Sequence, residues 1–153
     1  MSKAYSGQAS LLVLVFTGTD SSHAEYEVTV RAFEQLISDA VDRTAIGIVV
    51  VAPEHAQPNA YWRKRFAEVH RTAKHPLYIG VITKSVLIRG VITAIDWLLR
   101  SQVNYHSQAF ATFEDAVASY EKELRKPMDT LRVLYRQAND ANHALPRHQA
   151  STQ

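Results

Sequence analysis

The chain reads as a single α/β domain built on a mainly parallel sheet. Three observations predict it. Short continuous apolar runs are rich in branched residues, each run is followed by a stretch of helical period, and that strand-then-helix unit recurs four times along the chain. Each helix supplies the long right-handed crossover that a parallel pair of strands requires. The expected sheet has about four strands, mainly parallel with a mixed edge allowed, and an extra helix follows it at the C-terminal end.

The first strand is 10–17 (SLLVLVFT), an uninterrupted apolar run closed by Gly18, as in a strand buried on both faces. The first helix is expected from about 24 to 43, capped by Ser21 or Ser22. At 100° per residue Tyr26, Val30, Phe33, Leu36, Ile37, Ala40 and Val41 share one arc, with Glu27, Arg31, Glu34 and Asp42 opposite. The second strand is 45–52 (AIGIVVVA). Asn59 then caps a helix that Pro76 limits at its far end, with Trp62, Phe66, Val69 and Ala73 as a narrow apolar stripe.

The third strand, 77–83, enters the helix 87–100 through Lys84 and Ser85. Leu87, Ile88, Val91, Ile92, Ala94, Ile95, Leu98 and Leu99 cover more than half of that helix, so it needs cover beyond the sheet, from the chain or from a second subunit. A short fourth strand at 108–112 leads to a helix opened by Thr112 and Asp115 as a capping box. Pro127 suits the first turn of a last helix with Leu131, Leu134, Tyr135 and Ala138 on one face. The expected division is an α/β domain over 1–126, a packed helix over 127–142 and a mobile tail over 143–153.

At 153 residues, 46% hydrophobic and 21% charged, the composition is that of one ordinary globular domain, neither wholly disordered nor membrane-embedded. The apolar run at 11–16 is too short for a signal-peptide core or a membrane span, which makes the cytoplasm the default location. Having no cysteine, the chain has no disulfide, thiolate metal site or cysteine nucleophile. Seven histidines show no HExxH or i,i+4 pairing, so neither a metal nor a cofactor is expected, and most of the histidines read as surface or loop residues.

In a sheet of this kind a ligand sits beyond the carboxyl ends of the strands. Those ends bring forward Thr19, Asp20, Glu54, His55, Lys84 and Ser85 as candidate crevice residues. The turn at 17–22 offers hydroxyls, a carboxylate and a helix start, without the GK[ST] of a P-loop or the three glycines of a dinucleotide fingerprint. Ser85 beside Lys84 is a candidate phosphorylation site or weak nucleophile. Its simplest role is to cap the helix, and no GxSxG elbow surrounds it.

Arg63, His70, Arg71 and Lys74 fall on one face of the second helix as a candidate anion-binding surface. A net charge of +2 and the lack of interleaved aromatics argue against nucleic acid as its partner. Leu87, Val91, Ala94, Trp97 and Leu98 are candidates for self-association.

The turn Thr17-Gly18-Thr19-Asp20, the entry of strand 77–83 into a helix at Ser85, the pattern S-x-L-x-R-G-x-x-T-A-x-x-W-L from Ser85 to Leu98, and the stretch 109–116 together resemble the SpoIIAA-like, STAS-like group of small bacterial α/β proteins. The resemblance covers roughly 11–124. It implies a regulatory or protein-interaction module without enzymatic activity, related to the anti-sigma-factor antagonists, with an unidentified protein partner; the apolar helix 87–100 adds the expectation of a homodimer, and the composition that of no membrane association. In those antagonists a serine at the matching position, here Ser85, is phosphorylated to control partner binding. This chain departs from them in carrying Lys84 where they have an acidic residue and in lacking the Ser-Gly pair that follows. The N-terminal hairpin of that fold would have to come from the few residues before Ser10. The alternative is a small-ligand binder or minor enzyme working at the strand-end crevice, and a weaker one is anion or nucleic-acid binding through the basic helix.

Overall fold

The computed structural model describes residues 1–99 and 104–144, with side chains described except at 94–99 and 144. Its strands are β1 (Ser2–Ser6), β2 (Leu11–Val15), β3 (Ala45–Val50), β4 (Leu77–Ile82) and β5 (Tyr105–Phe110). Its helices are α1 (His23–Asp39), α2 (Ala60–His70), α3 (Val86–Leu99), α4 (Phe113–Leu124) and α5 (Asp129–Ala144). The five strands stand in sequence order, with β1 antiparallel to β2 and every later pair parallel.

That order explains the layers. When consecutive parallel strands are added in one direction, right-handed crossovers deliver every connecting helix to the same face. On that face Leu12, Leu14, Leu77 and Ile79 pack with Tyr26 and Phe33 of α1 and Trp62 and Val69 of α2. The alternate residues Leu11, Val13, Ile46 and Ile48 point the other way, against Val117 and Tyr120 of α4 and Leu131 and Leu134 of α5. The interior strand β2 is therefore buried along its whole length, as its unbroken apolar run predicts. Two glycines let the layers approach. A Cβ on Gly47 would lie 2.6 Å from the Phe33 ring, and one on Gly80 would lie 2.8 Å from both Tyr120 and Ile48.

Three helix starts follow the sequence closely. Ser22 and Glu25 form a reciprocal capping box on α1, Asn59 Oδ1 accepts from Trp62 N at 3.1 Å on α2, and Thr112 with Asp115 forms the box on α4. At the α4–α5 turn, Arg132 donates to Glu121 at 2.7 Å, and Glu121 also accepts from Met128 N at 2.9 Å. Those two bonds hold the Glu121 carboxyl below its ordinary range.

Several expectations are corrected. The sheet has five strands, not four: β1 is the antiparallel edge, turned onto β2 by Ser10, whose N donates to Gly7 O and whose φ is 54°. Its sequence SKAYS carries no apolar run because an edge strand buries only alternate residues, here Ser2 and Ala4. Helix α1 ends at Asp39 instead of Arg43. The chain turns through Asp42 at φ 54° to enter β3, which leaves Val41 62% exposed and outside the buried stripe. Strand β5 begins at Tyr105, not Gln108. Helix α5 runs to Ala144, two residues past its expected end, and the rest of the proposed tail lies outside the described residues. No helix among the described residues is long and apolar enough to cross a membrane.

Candidate functional site

The strand ends do not assemble the predicted crevice as a single set. Thr19 and Asp20 are exposed, and both serve the turn: Asp20 Oδ1 accepts from Ser21 N at 2.8 Å and Thr19 O accepts from Ala56 N at 2.6 Å. Glu54 and Lys84 are exposed, and among the described residues no side-chain hydrogen bond or ion pair joins either of them to another member of the set. Ser85 is half-buried, and its Oγ accepts from Ile88 N at 3.4 Å while its N donates to Thr83 Oγ1 at 3.1 Å. It caps α3, the simpler of its two expected roles.

His55 is the exception. It is buried, with Nδ1 2.8 Å from Gly18 O and Nε2 3.1 Å from Ser21 Oγ. A carbonyl only accepts, so Nδ1 carries a proton, and in the neutral imidazole Nε2 accepts from the serine hydroxyl. A hydroxyl facing an oriented imidazole has the layout of a nucleophile and its base. Here the orienting group is a neutral carbonyl, which lacks the charge that steadies an imidazolium, and Ser21 is itself buried. The arrangement locks the β2–α1 turn to the β3–α2 loop.

Directly behind that lock lies a cavity of about 140 Å³ between the sheet and the three connecting helices. Its floor is the carboxyl-side half of the sheet, with Phe16, Val49, Val51, Ile79 and Val81. Tyr26 and Phe33 of α1, Phe66 of α2, and Ile88, Val91 and Ile92 of α3 close the sides. His55, Ala56 and Pro58 form its edge in the β3–α2 loop, where Ala56 is exposed. The strands end here with branched aliphatics because parallel strands are covered on both faces. The space remains because α3 packs against β5 and leaves the ends of β3 and β4 incompletely filled.

His70 also lines this cavity, which corrects the reading of α2. It does not join Arg63, Arg71 and Lys74 on a basic face. It is 6% exposed, stacked on Tyr105 at 5.1 Å and edge-on to Phe33 at 5.2 Å. Burial pulls its pKa down to about 4, so it is neutral at pH 7. Neither ring nitrogen has a hydrogen-bond partner among the described residues. The signal was in the sequence: His70 follows Phe66 by four residues and so continues the apolar stripe of its helix.

The basic patch disperses as well. Arg63 donates to Pro58 O at 2.7 Å and Arg65 lies within ion-pair distance of Glu34 and Glu68, while Arg71 and Lys74 remain exposed. On α3, Leu87 is exposed, whereas Val91 turns inward to the cavity wall. Ala94, Trp97 and Leu98, the other self-association candidates, have side chains outside the described residues. Among the described residues no cluster of three or more His, Asp or Glu could hold a metal ion.

No family model, curated protein or solved structure matches the chain. The functional reading therefore rests on the site itself.

Proposed function

We propose that this protein is a binding module for a small, predominantly apolar molecule held between the sheet and α1, α2 and α3. The observation that carries this reading is the cavity of about 140 Å³, walled by aliphatic and aromatic side chains and placed under the strand carboxyl ends. A cavity of about 150 Å³ with such a wall takes a benzene-sized guest. Burying roughly 150 Å² of such a guest is worth about 4 kcal/mol at 25 cal/mol per Å², which corresponds to a Kd on the order of 1 mM for a bare hydrocarbon.

The test is a titration of the full chain with toluene, followed by amide and methyl NMR. Saturable shifts centred on Val49, Val81, Ile88 and Phe66, abolished by filling the space with Val81→Phe, are the expected result. Shifts that do not saturate, or that spread evenly over the surface, would remove the reading.

A second reading keeps the STAS-like resemblance, as a non-enzymatic regulatory or protein-interaction module acting through the start of α3. One observation favours it: Val86 and Leu87, directly after Ser85, are 79% and 72% exposed. It implies self-association or partner binding through that turn, governed by the charge on Ser85. Sedimentation velocity of the wild type, Leu87→Lys and Ser85→Glu tests it. A dimer that both changes weaken supports this reading, and a monomer at every concentration removes the self-association.

A further inference from the structure

We infer that His70 is the polar recognition group of the cavity, and that the ligand is a single-ring molecule bearing one hydrogen-bonding group, of the phenol class. This rests on the ligand-binding reading above and names the chemistry of that same site.

Four observations carry it. His70 is enclosed by both the sheet and α1, since its ring lies on Tyr105 of β5 and against the edge of Phe33 of α1. It lines the cavity, yet both its ring nitrogens lie buried without a partner among the described residues. A buried polar atom left unpaired costs about 1–3 kcal/mol, and a neutral imidazole carries one donor and one acceptor. The space of about 140 Å³ accommodates a guest body of one ring.

The wall that His70 presents is carbon, because its nitrogens have almost no exposed surface. A 180° turn of the imidazole about its Cβ–Cγ bond exchanges Nδ1 with Cδ2 and Nε2 with Cε1 and leaves its volume unchanged. This turn brings nitrogen to the positions that carbon holds, without disturbing the stack on Tyr105. A phenolic O–H then donates to the unprotonated nitrogen while the ring of the guest fills the apolar space. An anionic group is disfavoured there, because the imidazole stays neutral and, although Thr29, His55 and Ser107 also line the space, nearly all of its exposed surface is apolar.

Toluene and 4-methylphenol test this, since they share a body and differ by one hydroxyl. A hydroxyl buried without a partner costs about 1–3 kcal/mol, so a purely apolar cavity selects toluene by roughly 5-fold to 150-fold. The expected result is that the wild type binds 4-methylphenol at least as tightly as toluene, and that His70→Leu restores a toluene preference of about tenfold. Should the variant not fold, ¹⁵N NMR of the wild-type imidazole decides: the His70 nitrogens shift on adding 4-methylphenol and not on adding toluene. If toluene binds and is preferred, and the imidazole is indifferent to both ligands, His70 is not the recognition group but the cavity reading survives. If neither ligand binds, both fall.

Discussion

Ser21 Oγ lies 3.1 Å from His55 Nε2, and the same imidazole reaches Gly18 O at 2.8 Å through its other nitrogen. One buried side chain thus satisfies both its nitrogens by joining two loops that are 34 residues apart in the chain. The joint stands at the edge of the cavity beside Ala56 and Pro58.

Removing one side of this joint has a defined effect. Ser21→Ala is expected to lower stability by about 1 kcal/mol and His55→Ala by about 2–3 kcal/mol, since the latter also loses its contact with the Phe16 ring. In a double-mutant cycle measured by urea unfolding, a coupling of roughly 0.5–1.5 kcal/mol is expected. Additive losses would show that the hydrogen bond contributes nothing.

His70 makes stability depend on pH. Its folded-state pKa of about 4 lies below the ordinary 6.5, so between those values the unfolded chain binds a proton that the folded chain does not. Its contribution is complete above pH 6.5 and is lost as the pH falls toward 4. The loss is about 2 kcal/mol by pH 5, at 1.36 kcal/mol per unit of pKa difference. Unfolding of the wild type and of His70→Leu at pH 7.5 and pH 5 isolates it. The variant is expected to lose about 2 kcal/mol less over that interval, and parallel profiles would contradict the burial of a neutral imidazole.

The same substitution has opposite signs at two glycines. Gly47→Ala drives a methyl to 2.6 Å from Phe33 and 3.1 Å from Ile79 in the middle of the sheet, and is expected to destabilise by about 1–3 kcal/mol. Gly90→Ala meets nothing within 4 Å on the exposed side of α3 and is expected to stabilise by about 0.5–1 kcal/mol. Chemical denaturation midpoints of the two variants check both directions at once.

The capping boxes are independent of one another. Ser22→Ala and Thr112→Ala each remove a side-chain acceptor from a helix start, with an expected loss of about 1 kcal/mol apiece. The two helices lie on opposite faces of the sheet and share no partner, so the double variant is expected to lose about 2 kcal/mol. A markedly smaller loss in the double variant would show that one cap is already frayed.

Local rules made much of this protein legible from its residues. Asn59, Ser22 and Thr112 mark helix starts because a short oxygen-bearing side chain can satisfy backbone N–H groups a turn away, wherever the helix later packs. The unbroken LLVLV of β2 announces a strand covered on both faces, and the repeated βα pair announces parallel pairing. These features depend on neighbours a few positions apart.

Contacts between distant residues decided the rest. Strand β1 is a strand only because β2 lies alongside it, and SKAYS has no pattern that requires one. His70 sits among charged residues in sequence and among aromatic rings in space, because the helical period turns it with Phe66 toward Phe33 and Tyr105. The lock between Ser21 and His55, and the cavity behind it, exist only once the turns after β2 and β3 meet under α3. The residues alone determined the class of fold and the starts of three of its helices, since those follow from short-range hydrogen bonding and the alternation of apolar residues. Tertiary structure decided the site, because a cavity is what the packing of several elements leaves unfilled.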